Sequence, residues 1–156
     1  MDLKQLYQDI ILEHGKSPRN FGKFDGYSHY AKGHNPLCGD LVQIYLKLNN
    51  EKKVEKLTFE GSGCAISMAS TSIMTELVKG NSFDVVKNII SIFLNMIKNN
   101  LDIKSTELDE DQKTKIMSLS GVNQYPMRVK CATLAWHTLA SAIDGKKEEV
   151  NTEVTE

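Results

Sequence analysis

The chain has 156 residues, of which 40% are hydrophobic and 25% are charged, and its formal net charge is −1. A chain of this size and composition can bury one adequate core, so we expect a single globular domain. The charges are mixed and form no long basic run, which argues against nucleic acid or an anionic membrane as a partner. No apolar stretch approaches the length of a membrane span.

The N-terminal segment predicts an amphipathic helix over residues 2–14. Its apolar residues recur at helical spacing, and Gly15 and Pro18 should end it. The segment lacks the apolar core and cleavage site of a signal peptide. We therefore expect a cytoplasmic protein whose three cysteines, an odd number, stay reduced.

The next part of the chain predicts a small antiparallel sheet. A short edge strand is expected near residues 27–33 within a loop. Apolar and polar residues then alternate over 42–48 and again over 54–60, which is typical of a β-hairpin.

Helices dominate the rest of the sequence. Small residues over 65–79 favour a closely packed helix that ends at Gly80, and Ser82 can cap the next one. Two further helices are expected, one short over 112–119 and one long that ends near Ile143. The predicted fold is α+β: a small three-stranded antiparallel sheet with helices packed on one face. Residues 1–143 should form this one domain, and 144–156 a mobile charged tail.

Three cysteines and one aspartate lie where the predicted elements begin or turn. Cys38 and Asp40 are two residues apart in a turn that contains Pro36 and Gly39, so both can face one ion. Cys64 follows a Gly-Ser-Gly turn and opens a helix, whose positive end favours a thiolate. Cys131 lies near the start of the last helix.

These residue types together indicate one tetrahedral metal site. Thiolates are soft ligands and one carboxylate completes a set of four, which suits Zn²⁺, while iron can bind the same groups. The four ligands would leave the site with excess negative charge, which Arg128 and Lys130 can offset.

Two other interpretations of the cysteines stay open. Each thiol could be a small buried hydrophobic group, as free cysteines often are. The metal could also be purely structural, although closed structural zinc sites usually use only Cys and His, which makes Asp40 unusual.

Three motifs contain the predicted ligands: Asn35-Pro-x-Cys38-Gly-Asp40, Gly61-x-Gly-Cys64-x-Ile-Ser67-x-Ala-Ser70 and Arg128-Val-Lys-Cys131-Ala-Thr-Leu-Ala-Trp136. Together they resemble the IscU/SufU family of iron-sulfur cluster assembly proteins, which implies a SufE/NifU N-terminal-like fold. The resemblance extends from about Leu6 to about Ile143, and the SufU branch matches better than the IscU branch.

The sequence departs from IscU at two places. Lys130 stands where IscU proteins have histidine before the third cysteine, and a protonated lysine cannot bind a metal at neutral pH. Residues 124–128 replace the chaperone-recognition segment of IscU. The stretch 99–121 also looks like the insertion that distinguishes SufU proteins.

The resemblance implies a zinc-dependent sulfurtransferase. In that role Cys38 would accept persulfide sulfur from a SufS-like cysteine desulfurase and relay it toward iron-sulfur cluster assembly, where downstream assembly proteins are possible partners. Cys38, Asp40, Cys64 and Cys131 would bind the zinc, and Arg128 would stabilise the Cys38 thiolate. The alternative is a scaffold, on which the same ligands hold an iron-sulfur cluster that is assembled and then released.

Overall fold

A computed structural model describes residues 2–99, 108–146 and 149–152 of the chain. Its elements in chain order are α1 (Leu3–Lys16), β1 (His29–Asn35), β2 (Asp40–Leu48), β3 (Val54–Ser62), α2 (Ala65–Val78), α3 (Phe83–Asn99), α4 (Glu110–Ser118), α5 (Val129–Ile143) and β4 (Val150–Asn151). Two 3₁₀ helices, Leu119–Gln124 and Pro126–Arg128, connect α4 to α5. The α+β class predicted from the sequence is confirmed.

The sheet has four strands in the order β3-β2-β1-β4, so the prediction of three antiparallel strands was wrong. The β1–β2 and β2–β3 pairs are antiparallel, as expected, but β4 pairs with β1 in parallel. The sheet is therefore mixed.

The additional strand comes from the segment that the sequence assigned to the tail. Val150 and Asn151 lie beside Gly33 and His34, and the Thr152 N–H donates to the His34 carbonyl oxygen at 3.1 Å. Two residues are too few to show an alternating pattern, so the sequence carried no strand signal here. The domain boundary at residue 143 stays a prediction.

Helices α2 and α5 pack on the face of the sheet that carries Val42, Ile44 and Leu46, each fully buried. Gly33 and Gly61 flank Val42 in the strand register, and this explains the close packing. A β-carbon on Gly33 would clash with Thr138 of α5, whereas one on Gly61 would clash with the Leu41 carbonyl oxygen of β2 and lie tightly against Met68 of α2. The absence of side chains at these positions lets both helices approach the sheet, which brings Cys64 and Cys131 to one end of it.

One of two predicted helix ends shifts. Helix α1 continues through Gly15 to Lys16, where the missing side chain of Gly15 lets α1 approach Ala65 of α2. Gly80 follows the end of α2 as predicted, with a φ of +90° that favours glycine.

The predicted insertion 99–121 is described only in part, since residues 100–107 lie outside the described residues. Its second half forms α4, whose N-terminus is capped by a reciprocal pair of hydrogen bonds between Asp109 and Gln112. Among the described helices, none is long and apolar enough to cross a membrane.

Candidate metal centre

Three of the four predicted ligands meet at one end of the sheet. Cys38 lies in the turn between β1 and β2, Asp40 is the first residue of β2, and Cys131 lies in the first turn of α5. One ligand atom of each lies within 4.8 Å of the others. The Sγ atoms of Cys38 and Cys131 are 3.2 Å apart, although 93 residues separate them in the chain.

Cys64 lies beside this group but outside that 4.8 Å cluster. It caps the N-terminus of α2, and its Sγ accepts a hydrogen bond from the Ser67 N–H at 3.5 Å. Its own N–H donates to Asp40 Oδ1 at 2.9 Å, and its thiol forms a hydrogen bond with the thiol of Cys131. The fourth predicted ligand therefore touches two of the other three.

Two glycines make these contacts possible. Gly39 allows the turn between Cys38 and Asp40, with a φ of +72°. Gly63 has a φ of +140°, and a β-carbon there would lie 2.9 Å from the Asp40 Cα and even closer to its carboxylate. Only glycine combines this backbone conformation with so close an approach to Asp40.

The four predicted ligands differ in their exposure to solvent. Asp40 and Cys131 are completely buried, whereas Cys38 and Cys64 are half-buried. The site thus has a closed inner side and an open side that carries Cys38.

Asn35 is a site residue that the sequence analysis quoted in its motif but did not assign to the site. Its side-chain amide donates to Asp40 Oδ2 at 3.0 Å and to Cys131 Sγ at 3.4 Å, and its Oδ1 accepts from the Thr152 hydroxyl at 2.8 Å. A fully buried asparagine must pair its polar groups, and here it pairs them with two of the predicted ligands. The available signal was its place in the Asn-Pro-x-Cys-Gly-Asp loop.

Hydrogen bonding and burial shift the pKa values of the Cys64 and Cys131 thiols. The hydrogen bond with the Cys131 thiol lowers the pKa of Cys64 to about 6, and the backbone N–H of Ser67 lowers it further against the effect of burial. The same bond, followed by burial, raises the pKa of Cys131 far above that of a free thiol. The pKa values of the two thiols are therefore shifted in opposite directions.

Arg128 is the cation at the open side of the site. Its Nη1 lies 3.6 Å from Cys38 Sγ, and its side chain is exposed. A hydrogen bond to Cys131 and the charge of Cys38 raise the pKa of Arg128. Lys130, the second predicted cation, lines a cavity of about 250 Å³ between α3 and α5.

The donor set fits a divalent metal ion. Two thiols and a buried carboxylate face a common point, with a third thiol adjacent, and such sulfur-rich sets suit both zinc and iron. Asn35 donates to the predicted ligands Asp40 and Cys131, as hydrogen-bond partners of metal ligands commonly do.

The chain matches one protein family over most of its length and is similar to curated members of the SufU and IscU branches. Residues 6–148 match the family model described as the NifU-like N-terminal domain. The chain is 38% identical to the zinc-dependent sulfurtransferase SufU of Bacillus subtilis, over 95% of both chains. It is 37% identical to the iron-sulfur cluster assembly scaffold protein IscU of Streptococcus pyogenes, over 90% of this chain and 84% of that protein.

Solved structures agree in fold. The crystal structure of FiSufU from Fervidobacterium islandicum AW-1, a candidate iron-sulfur cluster assembly scaffold of the SUF system, superimposes with a TM-score of 0.77 at 33% identity. It covers 89% of this chain and 97% of its own. A nitrogen-fixing NifU-like protein from Brucella abortus, at 24% identity and a TM-score of 0.78, shares the fold.

Proposed function

This chain belongs to the family of NifU-like N-terminal domains, which includes the IscU and SufU iron-sulfur cluster assembly proteins, and we propose that it acts in cluster assembly as a zinc-dependent sulfurtransferase. In this role it accepts sulfur from the persulfide of a cysteine desulfurase and passes it on for cluster assembly. Cys38 is the acceptor. The observation that carries the proposal is the exposure of Cys38 at the open side of a group whose other two members are buried.

The step is an exchange between two sulfur atoms. The Cys38 thiolate attacks the terminal sulfur of the desulfurase persulfide, so that a new sulfur–sulfur bond forms on Cys38. The bond within the donor persulfide breaks, and the donor cysteine leaves as a thiolate that takes up a proton. Cys38 becomes a persulfide, and the exchange needs no external oxidant or reductant.

Cys38, Asp40, Cys64 and Cys131 would bind the zinc ion, which when bound keeps the thiols deprotonated at neutral pH. The buried Asp40 and Cys131 anchor the inner side of the centre, where Asn35 donates to both. Cys38 lies in a turn and can leave the centre without disturbing a helix or a strand.

Arg128 would stabilise the reacting sulfur. Its guanidinium group lies at hydrogen-bond range from Cys38 Sγ and is free to follow it, because the side chain is exposed. A positive charge at this position favours the thiolate before transfer and the persulfide anion after it.

Apolar residues around the open side support a protein as the sulfur donor. Leu37 and Met127, which adjoin Cys38 and Arg128 in the chain, are 53% and 66% exposed. A largely apolar groove between α1 and Tyr125 borders Arg128 as well. Large exposed apolar side chains around a reactive group are typical of a protein-binding surface.

The test measures alanine release by a cysteine desulfurase with and without this protein, which is purified with its zinc content quantified. Stimulation that disappears in Cys38→Ala supports the proposal, and mass spectrometry should find the extra sulfur on Cys38. Arg128→Ala serves as the comparison, because it should retain zinc and lose only part of the stimulation.

The scaffold function is the second candidate, and the similarity to the Streptococcus pyogenes IscU favours it. It predicts no dependence of alanine release on Cys38. Instead, iron-sulfur absorbance should appear when iron and sulfide are added without oxygen, and it should transfer to an acceptor protein. That pair of results would replace the sulfurtransferase proposal.

A further inference from the structure

We propose that Thr152 is a positioning residue of the metal centre: its hydroxyl group fixes the side chain of Asn35, which in turn holds Asp40 and Cys131 in place. This inference rests on the metal site of the proposed function. It extends that site to β4, the last strand among the described residues, which contributes no predicted ligand.

A continuous set of hydrogen bonds joins Thr152 to the ligands. The Thr152 Oγ1–H donates to Asn35 Oδ1 at 2.8 Å, and the Asn35 amide donates to Asp40 Oδ2 at 3.0 Å and to Cys131 Sγ at 3.4 Å. Thr152 is 1% exposed, and Asn35, Asp40 and Cys131 are fully buried. Water therefore cannot replace any of these bonds without a change in the packing.

The hydrogen-bond partners of Asn35 define the orientation of its amide group. Asp40 Oδ1 accepts from the Cys64 N–H, and Asp40 Oδ2 accepts from the Asn35 amide nitrogen, which therefore faces the carboxylate. The carbonyl oxygen of Asn35 must then face Thr152 and needs a donor there. Thr152 supplies that donor, and a flipped amide would place an oxygen against the Asp40 carboxylate.

The backbone pairing of β4 with β1 places Thr152 within hydrogen-bond range of Asn35. Val150 and Asn151 pair with Gly33 and His34 in parallel, and the Thr152 N–H donates to the His34 carbonyl oxygen. These bonds place the Thr152 side chain next to Asn35, the last residue of β1. The short strand β4 thus brings a hydroxyl group into the interior beside the ligand loop.

Loss of the hydroxyl group should weaken metal binding. Without a donor, the buried Asn35 oxygen is unsatisfied, and the amide can rotate away from Asp40 and Cys131 to seek another partner. Loss of hydrogen-bond partners behind metal ligands typically reduces metal affinity 10- to 100-fold. Because Thr152 acts through Asn35, we expect a reduction of about tenfold for Thr152→Val.

The experiment uses the full chain and Co²⁺ as the probe, since thiolate coordination gives Co²⁺ a strong charge-transfer absorbance. Affinities for Co²⁺ and Zn²⁺ are measured by competition with a chromophoric chelator. Thr152→Ser keeps the hydroxyl group and should bind like the unmodified protein. Thr138→Val is the matched control, because it makes the same change at another buried threonine, whose hydroxyl donates to the Leu134 carbonyl within α5.

A second measurement does not depend on metal. In the metal-free protein, the side-chain NH₂ signals of Asn35 in a ¹⁵N spectrum should be protected from exchange, and they should shift and lose protection in Thr152→Val but not in Thr152→Ser. If Thr152→Val does not fold, Thr152→Ala replaces it, because it removes the hydroxyl group and leaves no bulk to accommodate.

The outcomes separate this inference from the proposed function. Weaker binding and altered Asn35 signals in Thr152→Val, with both restored in Thr152→Ser and neither changed in Thr138→Val, support the positioning role. Equal affinities and unchanged Asn35 signals in all variants overturn it and leave the metal centre intact. If the unmodified protein binds neither ion through its thiols, the metal centre itself is wrong, and this inference fails with it.

Discussion

Replacement of Gly63 by alanine should disturb the candidate metal centre through Asp40. Gly63 has a φ of +140°, and a β-carbon there would clash with the Asp40 carboxylate and lie 2.9 Å from its Cα. The clash involves backbone as well as side chain, so a change of rotamer at Asp40 cannot relieve it. Asp40 or the Gly63 loop must move.

The matched control is Gly22→Ala. Gly22 has a similar φ of +128°, but nothing lies within 4 Å of the position of its β-carbon. Its substitution therefore carries only the backbone cost of a positive φ, about 1–3 kcal/mol. In Gly63→Ala, the displaced carboxylate also loses its bond from the Cys64 N–H or from Asn35, at about 1.5–3 kcal/mol for each bond to a charged group.

Urea-induced unfolding of the metal-free variants measures this difference. We expect Gly63→Ala to lower the free energy of unfolding by about 1.5–3 kcal/mol more than Gly22→Ala does. It should also weaken Co²⁺ binding, which Gly22→Ala should leave unchanged. Equal destabilisation and equal Co²⁺ affinity in the two variants would refute the reasoning, because Asp40 would then not be confined by the Gly63 loop.

Three further predictions test other parts of the molecule. Arg128→Ala should slow sulfur transfer to Cys38 roughly two- to fivefold, as expected for an exposed pair, while zinc content stays constant; an unchanged rate in a transfer assay contradicts its assigned role. Burial lowers the pKa of His14 below its ordinary 6.5, so below that pH the unfolded chain binds a proton that the folded protein excludes. The free energy of unfolding should therefore fall with decreasing pH, by at most about 1.4 kcal/mol per unit for this residue, and His14→Asn should flatten the profile; an identical slope in both proteins excludes this cause. Trp136→Phe should lower the free energy of unfolding by about 1–3 kcal/mol, because Trp136 donates a hydrogen bond to the buried Ser70 hydroxyl oxygen. Thermal or urea unfolding measures this change, and a loss below about 0.5 kcal/mol would mean that the hydrogen bond contributes little.

Local patterns predicted most of the secondary structure. The alternation over 42–48 and 54–60 lies within β2 and β3, and the helices around residues 65–79 and 112–119 are present. These elements depend on spacing and turn chemistry within a few residues, which a sequence displays directly. Gly15 shows the limit of that reasoning, because its effect is decided by Ala65 on another helix.

The candidate metal centre was harder to predict, because the residues that hydrogen-bond to its predicted ligands come from distant parts of the chain. Local context singled out Cys38, Asp40 and Cys131, and the structure brings them together, although whether they bind a metal stays a prediction. The sequence missed Asn35 as a member of the site, because its role depends on partners 96 and 117 residues away. Strand β4 was missed for a similar reason, since two residues pair only where β1 leaves an edge open.

The order in which the ribosome makes the chain bears on when the centre can form. Cys38, Asp40 and Cys64 emerge early, but Cys131 lies 93 residues beyond Cys38 and Thr152 comes later still. The group of predicted ligands can therefore assemble only after α5 has been made, and its hydrogen bond to Thr152 only after β4. Until then, the thiols of Cys38 and Cys64 lack the buried neighbours that surround them in the folded chain.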